Sequence, residues 1–249
     1  MGRVIFIGAG PGAADLITVR GVRRLAAADV VLFDALTDPA LRELAPQARW
    51  VDVGKRGFGP AANQEAINAR LVREAQAHDV VVRLKGGDPS VFGRLEEELQ
   101  ALQRHGIDYE IVPGVTAALA AAADSARPLT RRGSGRSVSL TTAMTQLGTL
   151  QATRSADTEV FYMAGRQLGA LSRKLREAGW PAEAPACVVS RAGWPDAITS
   201  THRVESLADA AVLHAGRPAV VTVGAGALAL DRPTVTADTQ ATSQTTPQP

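Results

Sequence analysis

Val80-Val81-Val82-Arg83-Leu84-Lys85-Gly86-Gly87-Asp88-Pro89-Ser90-Val91-Phe92-Gly93-Arg94 sets the fold class. Residues 80–84 are apolar and mostly β-branched apart from Arg83, the composition of a buried strand. Two glycines, an aspartate and a proline end it. Leu95, Leu99 and Leu102 then recur about once a turn, the stripe of a helix with one buried face. Open α/β sheets bind ligands outside the carboxyl ends of their strands. Two glycines at such an end let a ligand approach the backbone, and Asp88 can accept a hydrogen bond from a ribose hydroxyl or an amine. A plain strand-end turn, with Asp88 capping the next helix, fits the same residues equally well.

The strand–turn–helix unit recurs on both sides. Further apolar runs fall at 4–7, 30–33, 50–53 and 109–112. Leu16, Val19, Val22 and Leu25 give one helical stripe, and Ile67, Leu71 and Ala75 another. Asp38-Pro39 reads as an N-cap followed by proline at the first helical position. This alternation predicts a mainly parallel sheet with helices on both faces. The first strand runs into Gly8-Ala9-Gly10-Pro11-Gly12, which suggests a dinucleotide loop with Asp29 or Asp34 on the ribose. The spacing is G-x-G-x-G, however, and Pro11 removes a donor amide where a pyrophosphate needs one. A tight strand-to-helix turn accounts for these glycines as well.

The pattern changes after Pro113-Gly114. An alanine-rich stretch, 116–123, leads into Arg127-Pro128-Leu129-Thr130 and Gly133-Ser134-Gly135, the best boundary in the chain. A second set of strands is expected at 138–141, 160–163, 187–190, 198–203 and 219–223, with helices at 167–178 and 206–214. Residues 142–158 have weak periodicity and read as a long loop or irregular helix. The expected organisation is an N-terminal α/β domain with a parallel sheet over 1–114, a linker or hinge over 115–136, a C-terminal α/β domain over 137–230 and a disordered tail over 231–249. No internal repeat is visible.

Bulk composition narrows the function classes. Of 249 residues, 45% are hydrophobic, yet no stretch approaches the roughly 20 apolar residues of a membrane span. The N-terminus lacks the pattern of a signal peptide, and Cys187 alone cannot form an internal disulfide, so a cytoplasmic location is expected. A net charge of +2 and 4% aromatic residues argue against nucleic acid. His78, His105, His202 and His214 show no metal-ligand spacing, so no metal is expected. Cys187 lies in a strand-like run and reads as an inert buried thiol, and no nucleophile-elbow motif is present.

Several segments together resemble a known family. They are Gly8 to Gly12, Asp15-Leu16-Ile17-Thr18, Gly54-Lys55-Arg56, Gln64-Glu65 with Ile67-Asn68, Arg83 to Arg94, Val112-Pro113-Gly114-Val115-Thr116, Pro128-Leu129-Thr130 and Phe161-Tyr162-Met163. Their order is similar to that in tetrapyrrole C-methyltransferases, and the likeness runs from Val4 to about Ala225. It implies the tetrapyrrole methylase fold, two α/β domains with the active site in the cleft between them, and a homodimer. It implies S-adenosylmethionine as methyl donor, held by Pro11, Gly86, Gly87, Asp88, Val91, Thr116, Ala117, Met163 and Gly193. It gives Asp34 and Lys55 roles in proton transfer. The implied reaction is two C-methylations of uroporphyrinogen III, giving precorrin-2 for sirohaem or cobalamin synthesis.

That substrate carries acetate and propionate arms, so its site should be basic. Arg56, Arg94, Arg131 and Arg132 are the candidate substrate-binding residues, since arginine suits bidentate carboxylate binding. The chain departs from the family pattern at Ala35, Arg131 and Thr142-Ala143, positions expected to face the tetrapyrrole. Two alternatives therefore stand beside the first: methylation of a different tetrapyrrole or corrin precursor, and a non-catalytic paralogue that binds the donor or a tetrapyrrole. With no further domain ahead of the first strand, a monofunctional chain is expected.

Overall fold

In the computed structural model, which describes residues 2–54, 64–144 and 148–230, ten strands form two five-stranded sheets. The first contains β1 (Arg3–Gly8), β2 (Val30–Phe33), β3 (Arg49–Asp52), β4 (Val80–Lys85) and β5 (Tyr109–Val112). Their order is β3-β2-β4-β1-β5, and every pairing is parallel. Alternate side chains of these strands serve two separate cores. Val4, Phe6, Leu32 and Val81 face α2 (Gln64–Ala77) and α3 (Leu95–Arg104) through Leu71, Ala75 and Leu102. Ile5, Ile7, Val31, Val82 and Leu84 face α1 (Val19–Leu25) and the 3-10 turn Pro39–Leu44 through Leu25 and Leu41. Helices on both faces explain why the strands are apolar throughout rather than alternating. Asp38 caps the 3-10 turn as its sequence suggests, its carboxylate accepting from the Ala40 amide at 2.9 Å.

The second sheet contains β6 (Val138–Thr142), β7 (Thr158–Tyr162), β8 (Pro185–Ser190), β9 (Ile198–Arg203) and β10 (Ala219–Gly224), in the order β6-β7-β10-β8-β9. Only β6 and β7 pair in parallel; the other pairings are antiparallel. The link from β8 to β9, residues 191–197, is too short for the crossover that parallel neighbours need. One face is covered by α5 (Leu168–Glu177) and by the turn that leads into α6 (Ala210–Leu213), through Leu168, Leu171, Leu175 and Leu207. The other is covered by α4 (Ala117–Asp124), whose Ala118, Ala120 and Ala121 lie on Val160, Cys187, Val189 and Val220.

Residues 115–136 thus contain a helix seated on the second sheet. The described part of 142–158 holds no helix, and its Met144 and Leu150 form an isolated bridge. Residues 231–249 lie outside the described residues.

Candidate active site between the two sheets

Three strand ends of the first sheet converge. Gly8 is abreast of Lys85, and Phe33 is abreast of Leu84, so the loops after β1, β2 and β4 leave the sheet together. Gly10 and Gly87 bind each other, amide to carbonyl, at 3.3 and 2.7 Å. A Cβ at Gly8 would lie 2.5 Å from the Gly114 Cα, and one at Gly114 only 2.4 Å from the Gly87 carbonyl oxygen. These glycines are needed because backbones touch. Gly86 and Gly87 differ. A Cβ at Gly86 would find only Leu36 Cβ at 3.7 Å, and one at Gly87 nothing nearer than 3.9 Å. Bare backbone therefore borders open space at the edge of the sheet, a cradle that a ligand can enter and that a side chain would fill.

Asp88 fixes the shape of this loop. Its Oδ1 accepts from the Ser90 amide and its Oδ2 from the Gly114 amide, both at 2.8 Å. Hydrogen bonds to an ionised carboxylate are among the stronger ones, so loop and β5 end are tied firmly. Val91 closes the turn, its amide donating to the Asp88 carbonyl at 3.2 Å.

The opposite wall comes from the second sheet. Tyr162 ends β7, and its hydroxyl lies 2.7 Å from Thr116 Oγ1 and accepts from the Ala118 amide at 3.2 Å. Burial raises the Tyr162 phenol above its ordinary range, and the nearby Asp88 charge adds to this. Thr116 and Ala117 are thereby held against the end of β7. Met163 follows with φ +59° and a largely exposed side chain. Phe92, across the opening, has φ +52°, is also exposed, and lays its ring 5.0 Å from that of Tyr162. Two exposed apolar residues with left-handed backbone at one opening are the kind of strain that functional sites retain.

The loop after β8 closes the arrangement. The Ala13 amide donates to the Gly193 carbonyl at 2.8 Å, Trp194 Nε1 donates to the Pro11 carbonyl at 3.2 Å, and the Gly193 amide donates to Asp124 at 2.7 Å. A Cβ at Gly193, which has φ +77°, would strike Leu16 at 2.8 Å and Pro11 at 3.1 Å. Pro11, Gly86, Gly87, Asp88, Val91, Thr116, Ala117, Met163 and Gly193 are thus gathered along one junction between the sheets. Trp194, Tyr162 and Phe92 join them without having been named as site residues; Tyr162 stands next to Met163 in the sequence, but its hydroxyl's reach to Thr116 crosses 46 residues.

Asp34 lies at the end of β2, beside this cradle. Arg83 Nη2 donates to its Oδ1 at 2.6 Å, and Arg83 Nε donates to Glu98 at 2.9 Å. Lys85 Nζ donates to the other oxygen of Glu98 at 2.7 Å. Arg83, Glu98 and Lys85 are all buried. Burial alone would make Arg83 easier to deprotonate, but Asp34 and Glu98 more than offset it, so the guanidinium is held charged. Lys85 is shifted down, by burial first and by the Arg83 charge second. The sequence signal for this cluster is Arg83, one arginine inside an apolar strand; Glu98 is one of three consecutive glutamates, Glu96 to Glu98, and nothing in the sequence sets it apart.

Lys55 and Arg56 lie outside the described residues. Arg94, with φ +54°, pairs with Glu97 at 2.7 Å beside a groove of about 600 Å³ that runs from Phe92 along α3. Arg131 is placed elsewhere. Its guanidinium donates to the Ala225 carbonyl at 2.7 Å and also to that of Leu228. Ala225 follows Gly224, which pairs with Thr158 at the start of β7, so Arg131, with Arg132 next to it in the chain, sits at the opposite end of β7 from Met163. The cleft-side arginine role expected of them has this geometry against it. Among the described residues, no three metal-ligating side chains cluster, and no helix is long and apolar enough to cross a membrane.

Comparison with known proteins gives a consistent result. The profile of the Tetrapyrrole (Corrin/Porphyrin) Methylases matches residues 3–208. The uroporphyrinogen-III C-methyltransferase of Pseudomonas aeruginosa is 44% identical over 195 residues, covering 77% of this chain and 80% of that one. A sirohaem synthase of Neisseria meningitidis is 39% identical over 229 residues, covering 90% of this chain, which spans about half (47%) of that protein. The crystal structure of the Thermus thermophilus uroporphyrin-III C-methyltransferase with S-adenosylhomocysteine superposes with a TM-score of 0.79 at 38% identity, over 90% of this chain and 97% of that one. A cobalt precorrin-4 methyltransferase superposes with a TM-score of 0.77 at 30% identity, over 89% and 94%.

Proposed function

Since the chain belongs to the tetrapyrrole (corrin/porphyrin) methylases, we propose that it methylates uroporphyrinogen III twice at carbon, using S-adenosylmethionine, and so forms precorrin-2 for sirohaem or cobalamin synthesis. The observation that carries the reading is the bare backbone of Gly86 and Gly87 facing open space at the junction of the two sheets. The cradle and its neighbours fit a donor that has no phosphate to hold. When bound, S-adenosylmethionine supplies a sulfonium methyl that an electron-rich pyrrole carbon takes up directly.

The chain's own residues then have five tasks. Gly86 and Gly87 admit the donor against main chain, while Thr116, Ala117, Met163, Gly193 and Pro11 complete its walls. Asp88 and Val91 keep the loop in shape through the bonds at 2.8 and 3.2 Å. Holding reactants in line can contribute several kcal/mol to a transfer of this kind. A ring that has gained a methyl group carries positive charge and must release a proton; Asp34 stabilises the charge and accepts the proton. Lys55 supplies a proton or pairs with a substrate carboxylate. Arg94 and Arg56 bind the acidic arms, with Arg94 the better supported by its place beside the groove at Phe92.

On the same reading the chain works as domains 1–114 and 137–230 joined by 115–136, and acts as a cytoplasmic homodimer. The deciding experiment is incubation with uroporphyrinogen III and S-adenosylmethionine followed by mass spectrometry. Products carrying one and then two added methyl groups are expected. A folded protein that yields none overturns the assignment. The nearly equal likeness to the cobalt precorrin-4 methyltransferase favours a second reading, in which a later corrin precursor is the acceptor. A panel of acceptors in the same assay separates the two by product mass.

A further inference from the structure

We propose that Arg83 is a positioning residue that clamps the Asp34 carboxylate in one orientation, with Glu98 as its anchor. The inference rests on the reading of Asp34 as the proton acceptor. Four charged side chains form one line: Asp34, Arg83, Glu98 and Lys85, joined at 2.6, 2.9 and 2.7 Å. The last three are buried, with side-chain exposures of 3%, 0% and 4%, and Asp34 at 31% is the member that reaches solvent. A surface carboxylate at a strand end would ordinarily swing between rotamers. This one is gripped by a guanidinium that cannot move.

Each arm of Arg83 is engaged. Nε binds Glu98, Nη1 lies 3.4 Å from the Leu32 carbonyl and 3.2 Å from that of Leu84, and Nη2 binds Asp34 Oδ1. The planar fork is therefore fixed at three points on the frame of β2, β4 and α3 before it meets Asp34. Glu98 is fixed in turn by Lys85 and by Gln64 Nε2 at 3.3 Å. Because Nη2 occupies Oδ1, the second oxygen of Asp34 is left to the cleft, where it is free among the described residues to take the proton. The methylated ring carbon carries an acidic arm and no hydrogen, so the proton leaves an adjacent bridging methylene for this oxygen, and the electrons of that broken C–H bond flow into the ring system and cancel its charge. Arg83 itself neither gains nor loses a proton.

A double-mutant cycle tests the clamp. Arg83→Lys keeps the positive charge but loses the fork. It is expected to lower kcat at least tenfold while leaving the acceptor KM, and the S-adenosylhomocysteine affinity measured by calorimetry, within about twofold. Asp34→Asn is expected to lower kcat by at least as much. The double variant should be no slower than Asp34→Asn alone, because the clamp has nothing left to hold. Multiplying effects would mean that Arg83 acts independently of Asp34 and would overturn the proposal. So would full kcat in a folded Arg83→Lys protein, or a loss of cofactor affinity that parallels the loss of rate. If Asp34→Asn leaves kcat unchanged, the role of Asp34 itself fails, a different result from failure of the clamp alone. Should Arg83→Lys not fold, Glu98→Gln loosens the anchor while keeping an acceptor for Nε, and the same non-additivity with Asp34→Asn is required of it.

Discussion

A methyl group added at Gly114 would meet the Gly87 carbonyl oxygen at 2.4 Å, whereas one added at Gly86 would meet only Leu36 at 3.7 Å. The two glycines therefore predict opposite outcomes. Gly114→Ala should destabilise by about 1–3 kcal/mol through overpacking, a fall in Tm of several degrees at about 2–4 °C per kcal/mol. Gly86→Ala should melt with the wild type yet bind S-adenosylhomocysteine at least tenfold more weakly, since the methyl fills the cradle. Scanning calorimetry and isothermal titration measure both; a Gly86→Ala protein with unchanged affinity would place the cofactor elsewhere. At this scale the sequence was informative where a residue type is nearly unique to a task. Gly86-Gly87-Asp88 could be read as a ligand-facing turn because few other residues can make one. Asp88 itself proves less simple, since both its oxygens already hold backbone amides. Glu98 was silent because its meaning depends on Arg83, 15 residues earlier in the chain and brought near only by the fold.

Among the elements, the strands were the most legible, since β2, β5 and β9 begin and end where their apolar or alternating patterns do. Helix α4 was harder. Its run of alanines carries no stripe and falls within the expected linker, although the small side chains are what allow it to lie close on β8 and β10. The pairing of β8 with β9 followed from loop length, not from the strands' own residues. The end of α6 yields a prediction about pH. His214 is fully buried between the hydroxyls of Ser190 on β8 and Ser200 on β9, each 2.8 Å from a ring nitrogen. Burial first, then the His202 and Arg217 charges, hold its pKa below the ordinary 6.5. The unfolded chain consequently takes up this proton before the folded one does. The contribution of His214 is complete above about pH 6.5 and is lost as the pH falls below it. The wild-type Tm should drop between pH 7.5 and 5.5, and the drop should be shallower in His214→Gln, whose amide can still bond both serines. Equal slopes in the two proteins would rule His214 out as the cause.

For the whole molecule, the decisive feature is how the two sheets meet. Trp194 reaches back 183 residues to the Pro11 carbonyl, and Asp124 holds the Gly193 amide. A ligand bound at this junction touches both halves, so it should raise the stability of the chain as a unit, by about 2.7 kcal/mol at a hundred times its Kd. Trp194→Phe removes one bond of the junction without touching either core. The shift in Tm produced by a fixed concentration of S-adenosylhomocysteine should be smaller in that variant, and an identical shift would show that the junction plays no part in binding. The resemblance puts Pro11 and Gly193 in a cleft between two domains, but the residue types alone do not pair them. The residues involved are ordinary loop residues, and the Ala13–Gly193 bond uses only atoms that every amino acid except proline possesses. A contact written in main-chain atoms leaves no trace in the identity of Ala13, so descendants of this chain can exchange that residue and keep the junction. Only the demand for smallness at Gly12 and Gly193 passes on, and the docking of the two halves can outlast most of the spelling around it.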